Sequence, residues 1–168
     1  MRLLVLAAAV LLGSAPAIAQ RFGDAPPRLG VGFDVATAIT NQSLIPDGPS
    51  IGLRARAALP VNADLSLAAS LGVGAHLFEG AGEARYVANP QASIIVTLPG
   101  RGAARYVMGG FGGMVPLSGG GGGLTLHAGY GWAIPLTETS LFVEVNPSLV
   151  IGERETAPVL AVRTGVIF

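Results

Sequence analysis

The stretch Leu65-Ser66-Leu67-Ala68-Ala69-Ser70-Leu71-Gly72-Val73-Gly74-Ala75-His76-Leu77 decides the fold. Leu, Val and Ala hold every odd position, while Ser66, Ser70, Gly72, Gly74 and His76 stand between them. Side chains of a β-strand alternate between its two faces, so a period of two predicts a strand with one apolar face and one small or polar face. The pattern spreads outward along the chain. Leu29, Val31, Phe33, Val35 and Ile39 alternate with Gly30, Gly32, Asp34, Ala36 and Thr40, and Ile51, Leu53, Ala55, Ala57 and Leu59 alternate with Gly52, Arg54, Arg56 and Ala58. Near the end, Leu141, Val143, Val145 and Leu149 oppose Glu144, Asn146 and Ser148, and Leu160, Val162, Val166 and Phe168 oppose Ala161, Arg163 and Gly165.

Composition points the same way. Of 168 residues, 51% are hydrophobic and only 12% are charged, about half the charge content of an ordinary soluble domain. The chain is apolar enough to fold but too poor in charge for a conventional water-facing surface. There is no Cys, which excludes disulfides, thiolate metal sites and cysteine nucleophiles. Ten Arg and no Lys balance ten acidic residues, so no basic surface steers nucleic acid.

The amino terminus is read apart from the fold. Met1-Arg2, the apolar run from Leu3 to Leu12 and the small-x-small site Ala17-Ile18-Ala19 have the layout of a cleaved secretory signal. Ten apolar residues fall short of the roughly 20 that a spanning helix needs. The expected organisation is a signal peptide over 1–19, a short periplasmic extension over 20–28 and a single β-domain over 29–168.

Alternating segments predict eight strands, near 29–40, 50–59, 64–77, 86–98, 104–114, 123–134, 139–150 and 157–168. Their connections differ by end. The joints opening at Leu59-Pro60, Leu98-Pro99 and Ile134-Pro135 are tight turns at near-equal intervals, whereas 41–49, 78–85, 116–122 and 152–156 are looser. Short turns at one end and longer loops at the other is the asymmetry of an outer-membrane barrel. The Gly-rich run from Ser118 to Gly123 lacks the Lys-Ser/Thr and the helix of a phosphate loop and is read as part of an outward loop.

The ending Val166-Ile167-Phe168, with a terminal aromatic and alternating apolar residues that include Val162, resembles the carboxy-terminal signature of bacterial outer-membrane barrels. With eight strands the chain resembles the small OmpA/OmpX-type members. The resemblance implies an all-β, eight-stranded, antiparallel, up-and-down transmembrane barrel. It further implies that Phe168, Val166 and Val162 are read by the outer-membrane insertion machinery, and that outer-membrane lipids and lipopolysaccharide surround a monomer. Short loops, absence of Lys and few aromatics depart from the best-known members.

In a bilayer the apolar phase must face lipid. Tyr106, Tyr130, Trp132 and Phe168 are then expected on the outward phase as an aromatic girdle. Asp34, Arg54, Arg56, His127, Glu144 and Arg163 fall on the inward phase. Around the barrel they form a belt of alternating sign, in which Arg54 or Arg56 meets Asp34, Asp34 meets Arg163, Arg163 meets Glu144 and Glu144 meets His127. Enclosed charges are costly unless paired, so the belt is read as a structural plug. Phe111 is left without an assigned face, because Gly109-Gly110 and Gly112-Gly113 blur the phase and are candidates for a bulge.

Other functions weigh less. Three inward Arg against two inward carboxylates leave open a small anion channel. A lipid A-modifying enzyme needs Ser, His and a carboxylate on the outer wall, and Leu126-His127-Ala128-Gly129 lacks the His-x-Ser-Asn arrangement of such deacylases. His76 and His127 are too far apart in sequence to suggest a metal pair, and no cofactor is expected. A soluble lipocalin-like barrel would turn the same phases inside out. Detergent dependence separates the two: the purified chain is expected to aggregate without detergent or lipid, and monodispersity in plain buffer overturns membrane insertion.

Overall fold

The computed structural model describes residues 26–39, 49–76, 85–100, 102–117, 121–153 and 155–168. The expected signal over 1–19, most of the extension after it, and loop residues such as Glu79, Glu83 and Arg154 lie outside the described residues. The strands are β1 (Arg28–Ala38), β2 (Ser50–Pro60), β3 (Leu65–His76), β4 (Arg85–Leu98), β5 (Ala104–Pro116), β6 (Gly123–Pro135), β7 (Ser140–Ile151) and β8 (Thr156–Ile167). Each pairs antiparallel with the next, and β8 returns to β1 to close an eight-stranded barrel. The sequence reading placed every strand, with each end within two residues. Strands of 11 to 14 residues suffice to cross a bilayer when tilted.

The registers fix the tilt. Crossing from Arg28 through Ala58, Ala68, Ser93, Gly110, His127, Ser148 and Val159 leads back to β1 at Ala38, a stagger of ten residues around the circumference. A stagger of that size goes with strands inclined about 35–45° to the barrel axis and an interior just wide enough to be filled by side chains.

The apolar phase points outward everywhere. Phe33 and Leu53 are each 61% exposed, and Val35, Leu71, Leu126, Leu149 and Val162 are exposed on the same wall. Among the largest fully buried side chains are Glu144 and Asn146, both polar. A barrel with hydrocarbon outside and amide and carboxylate inside is the inverse of a soluble barrel, and the lipocalin-like alternative falls on that observation. The chain is a transmembrane β-barrel. Closure at the seam continues to the last residue, where Phe168 N–H donates to Leu29 O at 2.8 Å and Leu29 N–H to Phe168 O at 3.3 Å.

Short connections gather at the end that carries the termini. After β2, Asn62 Oδ1 accepts from the Asp64 and Leu65 amides at 2.9 and 2.8 Å, an Asx turn that nucleates the reversal. After β4, Gly102 sits at φ +86°, a conformation that favours glycine. After β6, Leu136 N–H donates to Thr139 O at 2.8 Å. The bulge suggested for β5 is absent: its register with β6 runs unbroken from Ala104↔Ala133 to Met114↔Gly123, and Phe111 is 60% exposed on the lipid face. The interruptions sit instead at prolines. The β4–β5 ladder skips Asn89 and Pro90, and the β6–β7 ladder skips Asn146 and Pro147. Proline has no N–H to offer a neighbouring carbonyl. At the first interruption, Asn89 Nδ2 supplies the Gly113 carbonyl at 3.0 Å.

Leu71 lies in the middle of β3 on the lipid wall. Replacing it with Arg is expected to destabilise the folded barrel by about 2–4 kcal/mol, the cost of a guanidinium near the bilayer midplane. The check is a lower urea midpoint for unfolding from lipid vesicles; an unchanged midpoint contradicts the lipid-facing assignment.

Candidate functional site: the lumenal charge network

The inward phase of every strand contributes to a lumenal set of polar contacts, two groups around charged centres and one further pair. The first is the Glu144 carboxylate of β7, which is 0% exposed. Arg56 Nη2 of β2 donates to its Oε2 at 2.8 Å, Tyr106 OH of β5 to the same oxygen at 3.1 Å, and Arg163 Nη1 of β8 to its Oε1 at 2.9 Å. β2 and β7 are not neighbours in the wall, so the Arg56–Glu144 bridge crosses the lumen. The Arg56 guanidinium also lies 5.6 Å from the centre of the Phe142 ring, a cation–π contact that helps set its direction.

The second centre is the Arg54 guanidinium of β2. Its Nε and Nη2 donate to Asp34 Oδ2 of β1 at 3.2 and 3.1 Å. Nη1 donates to Ser70 Oγ of β3 at 3.0 Å and to Gln91 Oε1 of β4 at 3.2 Å, and Nη2 to Asn89 Oδ1 at 2.9 Å. A planar fork of five donors is the side chain suited to bind several walls at once. β6 joins through His127, whose Nε2 lies 2.9 Å from Ser93 Oγ of β4. All eight strands are thus tied across the interior as well as along the wall.

Small residues make this possible. A Cβ on Gly72 would stand 2.6 Å from Arg54 Nη2, one on Gly131 would meet the Tyr106 ring, and one on Gly129 would lie 2.7 Å from Asn146 Nδ2. The Phe142 ring lies over Gly32 and Gly165, which face each other across the β1–β8 seam. The inward glycines therefore make room for aromatic rings and an amide as well as for a guanidinium.

Asp34, Arg54, Arg56, His127, Glu144 and Arg163 all point inward, but they do not form the simple belt expected around the circumference. Arg56 passes Asp34 by and reaches Glu144 across the lumen, and His127 takes Ser93 rather than Glu144. Two of the expected contacts form, Arg54 with Asp34 and Arg163 with Glu144, so Asp34 and Arg163, although opposite in register, each take another partner. The physical reason is reach: Arg54 and Arg163 find their carboxylates on adjacent strands, while the bore is narrow enough for the Arg56 side chain to cross it to Glu144. Tyr106 is a correction. It was expected in an outward girdle, but it is 5% exposed and bonded to Glu144. Pairing with Thr97 and the inward Gly131 fixes its phase, which the glycine-rich β5 sequence concealed. Tyr130 and Trp132 remain on the lipid wall near the turn end as a T-shaped pair, 4.7 Å between ring centres. Phe168, Val166 and Val162 share the outward phase of β8.

Sequence reasoning missed Ser70, Asn89, Gln91 and Ser93. The last three carried a readable signal, since Asn89-x-Gln91-x-Ser93 is a polar run of period two. Among the described residues no group of three His, Cys, Asp or Glu is placed to hold a metal ion. Two cavities flank the network, one of about 80 Å³ toward the loop end and one of about 110 Å³ toward the turn end, and Arg54 forms part of both walls.

No protein-family model matches the chain, and neither does a curated protein. Solved structures do. Neisserial surface protein A superposes with a TM-score of 0.69 at 14% identity, over 84% of this chain and 95% of that one. The N-terminal β-barrel domain of Pseudomonas aeruginosa OprF gives 0.53 at 14% identity, over 84% and 97%. Ail, the attachment invasion locus protein of Yersinia pestis, gives 0.52 at 10% identity, over 84% and 97%. The likeness is one of fold, and the fold is that of the small eight-stranded outer-membrane barrels.

Removing Glu144 leaves two guanidiniums facing each other in a dry interior, whereas removing Arg163 leaves Glu144 with Arg56 and Tyr106. Glu144→Leu is therefore expected to cost about 3–5 kcal/mol and Arg163→Leu about 1–3 kcal/mol, read as urea midpoints in micelles. Equal or absent effects contradict the hub role of Glu144.

Proposed function

We propose that this chain is an integral outer-membrane barrel with a side-chain-filled lumen and a structural or surface-interaction role rather than a catalytic one. The supporting observation is the network itself. Three guanidiniums, two carboxylates, a phenol and an imidazole occupy the inside of a barrel whose stagger leaves little free bore. Such an interior holds the wall rigid and leaves the loop end as the variable part, the usual division of labour between scaffold and loops.

In this reading the 1–19 segment directs export and is removed. The short turns and both termini face the periplasm, and the loops face outward. Phe168, Val166 and Val162 present the end of β8 to the insertion machinery, and lipid with lipopolysaccharide covers the apolar wall of a monomer. Two of the similar structures carry names that speak of a surface protein and an attachment invasion locus protein, which supports a surface role here.

A small anion channel is the second reading, favoured by the excess of lumenal Arg over carboxylate. Conductance across a planar bilayer distinguishes them. The plugged barrel is expected to pass no steady current, and a sustained anion-selective current overturns the proposal.

A further inference from the structure

Three lumenal guanidiniums face two lumenal carboxylates among the described residues, and the imbalance has an address. Arg54 has Asp34 to itself, whereas Arg56 and Arg163 share Glu144. The surplus positive charge therefore belongs to the Arg56–Glu144–Arg163 group. Beside it opens the cavity of about 110 Å³ at the turn end of the barrel. Its walls include Arg28, Arg54 and Arg56 with Ser66, Thr97 and Tyr106, and no Asp or Glu is among its lining residues. The cavity on the other side of the network has Asp34 in its wall and lacks this one-sided character.

The lining also includes the apolar side chains of Ile95 on β4 and of Phe142 and Ile167 on β7 and β8. The hydrogen bonds of Arg56 to Glu144 Oε2 and to Met108 Sδ both leave from Nη2, and Arg56 is among the residues that line the cavity. Arg28 is exposed at the rim, at the first residue of β1, so the mouth is positive as well. A surplus guanidinium charge in a partly dry interior gains from an anion. Guanidinium forks suit carboxylate geometry. By the same measure of space one water needs about 10–15 Å³, so the ligand must be small, and the apolar side chains favour one with a short hydrocarbon end.

We propose that the turn-end cavity is a binding pocket for a small organic monoanion, a short-chain carboxylate whose head meets Arg56 and Arg28 and whose tail lies against Phe142 and Ile95. The pocket lies at the turn end of the barrel and is distinct from any role of the loops.

The test uses the barrel purified from membranes in a non-ionic detergent at constant ionic strength, with butyrate as probe and butylammonium as the control of equal size and opposite charge. Ligand-observed NMR is expected to show saturable butyrate binding and none for butylammonium. Ala58→Leu adds bulk to the cavity wall without changing charge, and Arg56→Gln removes the guanidinium while Arg163 stays with Glu144; each is expected to weaken butyrate binding about tenfold or more with the β-sheet circular dichroism retained. The proposal is overturned by a wild-type barrel that takes up no butyrate, by equal uptake of butylammonium, or by folded variants that bind as the wild type does. Should one variant fail to fold, the other and the wild-type charge preference still decide.

Discussion

A backbone amide in hydrocarbon has no water to turn to, and the remaining features of this protein follow from that constraint. An open sheet would leave two edges of unpaired N–H and C=O groups, each costing several kcal/mol. Closure removes the edges, and here it runs to the final residue, where Phe168 and Leu29 exchange backbone hydrogen bonds. Where proline withholds a donor in β4, an asparagine side chain serves the Gly113 carbonyl instead.

Closure with eight strands and a ten-residue stagger encloses a narrow interior, and the lipid outside takes the apolar phase. The other phase is packed with small and polar residues and a few large apolar ones, among them Met108, Met114, Phe142 and Val150. Glycine and alanine leave space, and arginine, tyrosine, glutamate and phenylalanine fill it from across the bore. Glu144 accepts from three strands and Arg54 donates to three others, so two charged groups hold the inside together in the way a hydrophobic core holds a soluble domain. Buried charge of this kind is stable as a set and costly when one member is removed.

Most of the architecture is legible along the chain. The dyad run from Leu65 to Leu77, the apolar-Pro turns and the terminal Phe168 carry strand number, topology and the sense of each face, because lipid imposes one rule on every strand. The six lumenal ionisable residues are legible for the same reason, as polar side chains on the phase that lipid rejects. β5 is the exception: glycine on both phases between Gly109 and Gly113 leaves alternation without contrast, so the sequence does not show that Tyr106 faces inward and Phe111 outward.

Outside β5, the sequence by itself thus determined which side chains are enclosed and which meet lipid, since that choice depends only on the alternation of neighbours along a strand. Only the tertiary structure decided who binds whom inside. Arg56 reaching Glu144 rather than Asp34, and His127 meeting Ser93, depend on the stagger of the strands and the width of the bore. Those are properties of the closed circuit of registers, and no single strand contains them.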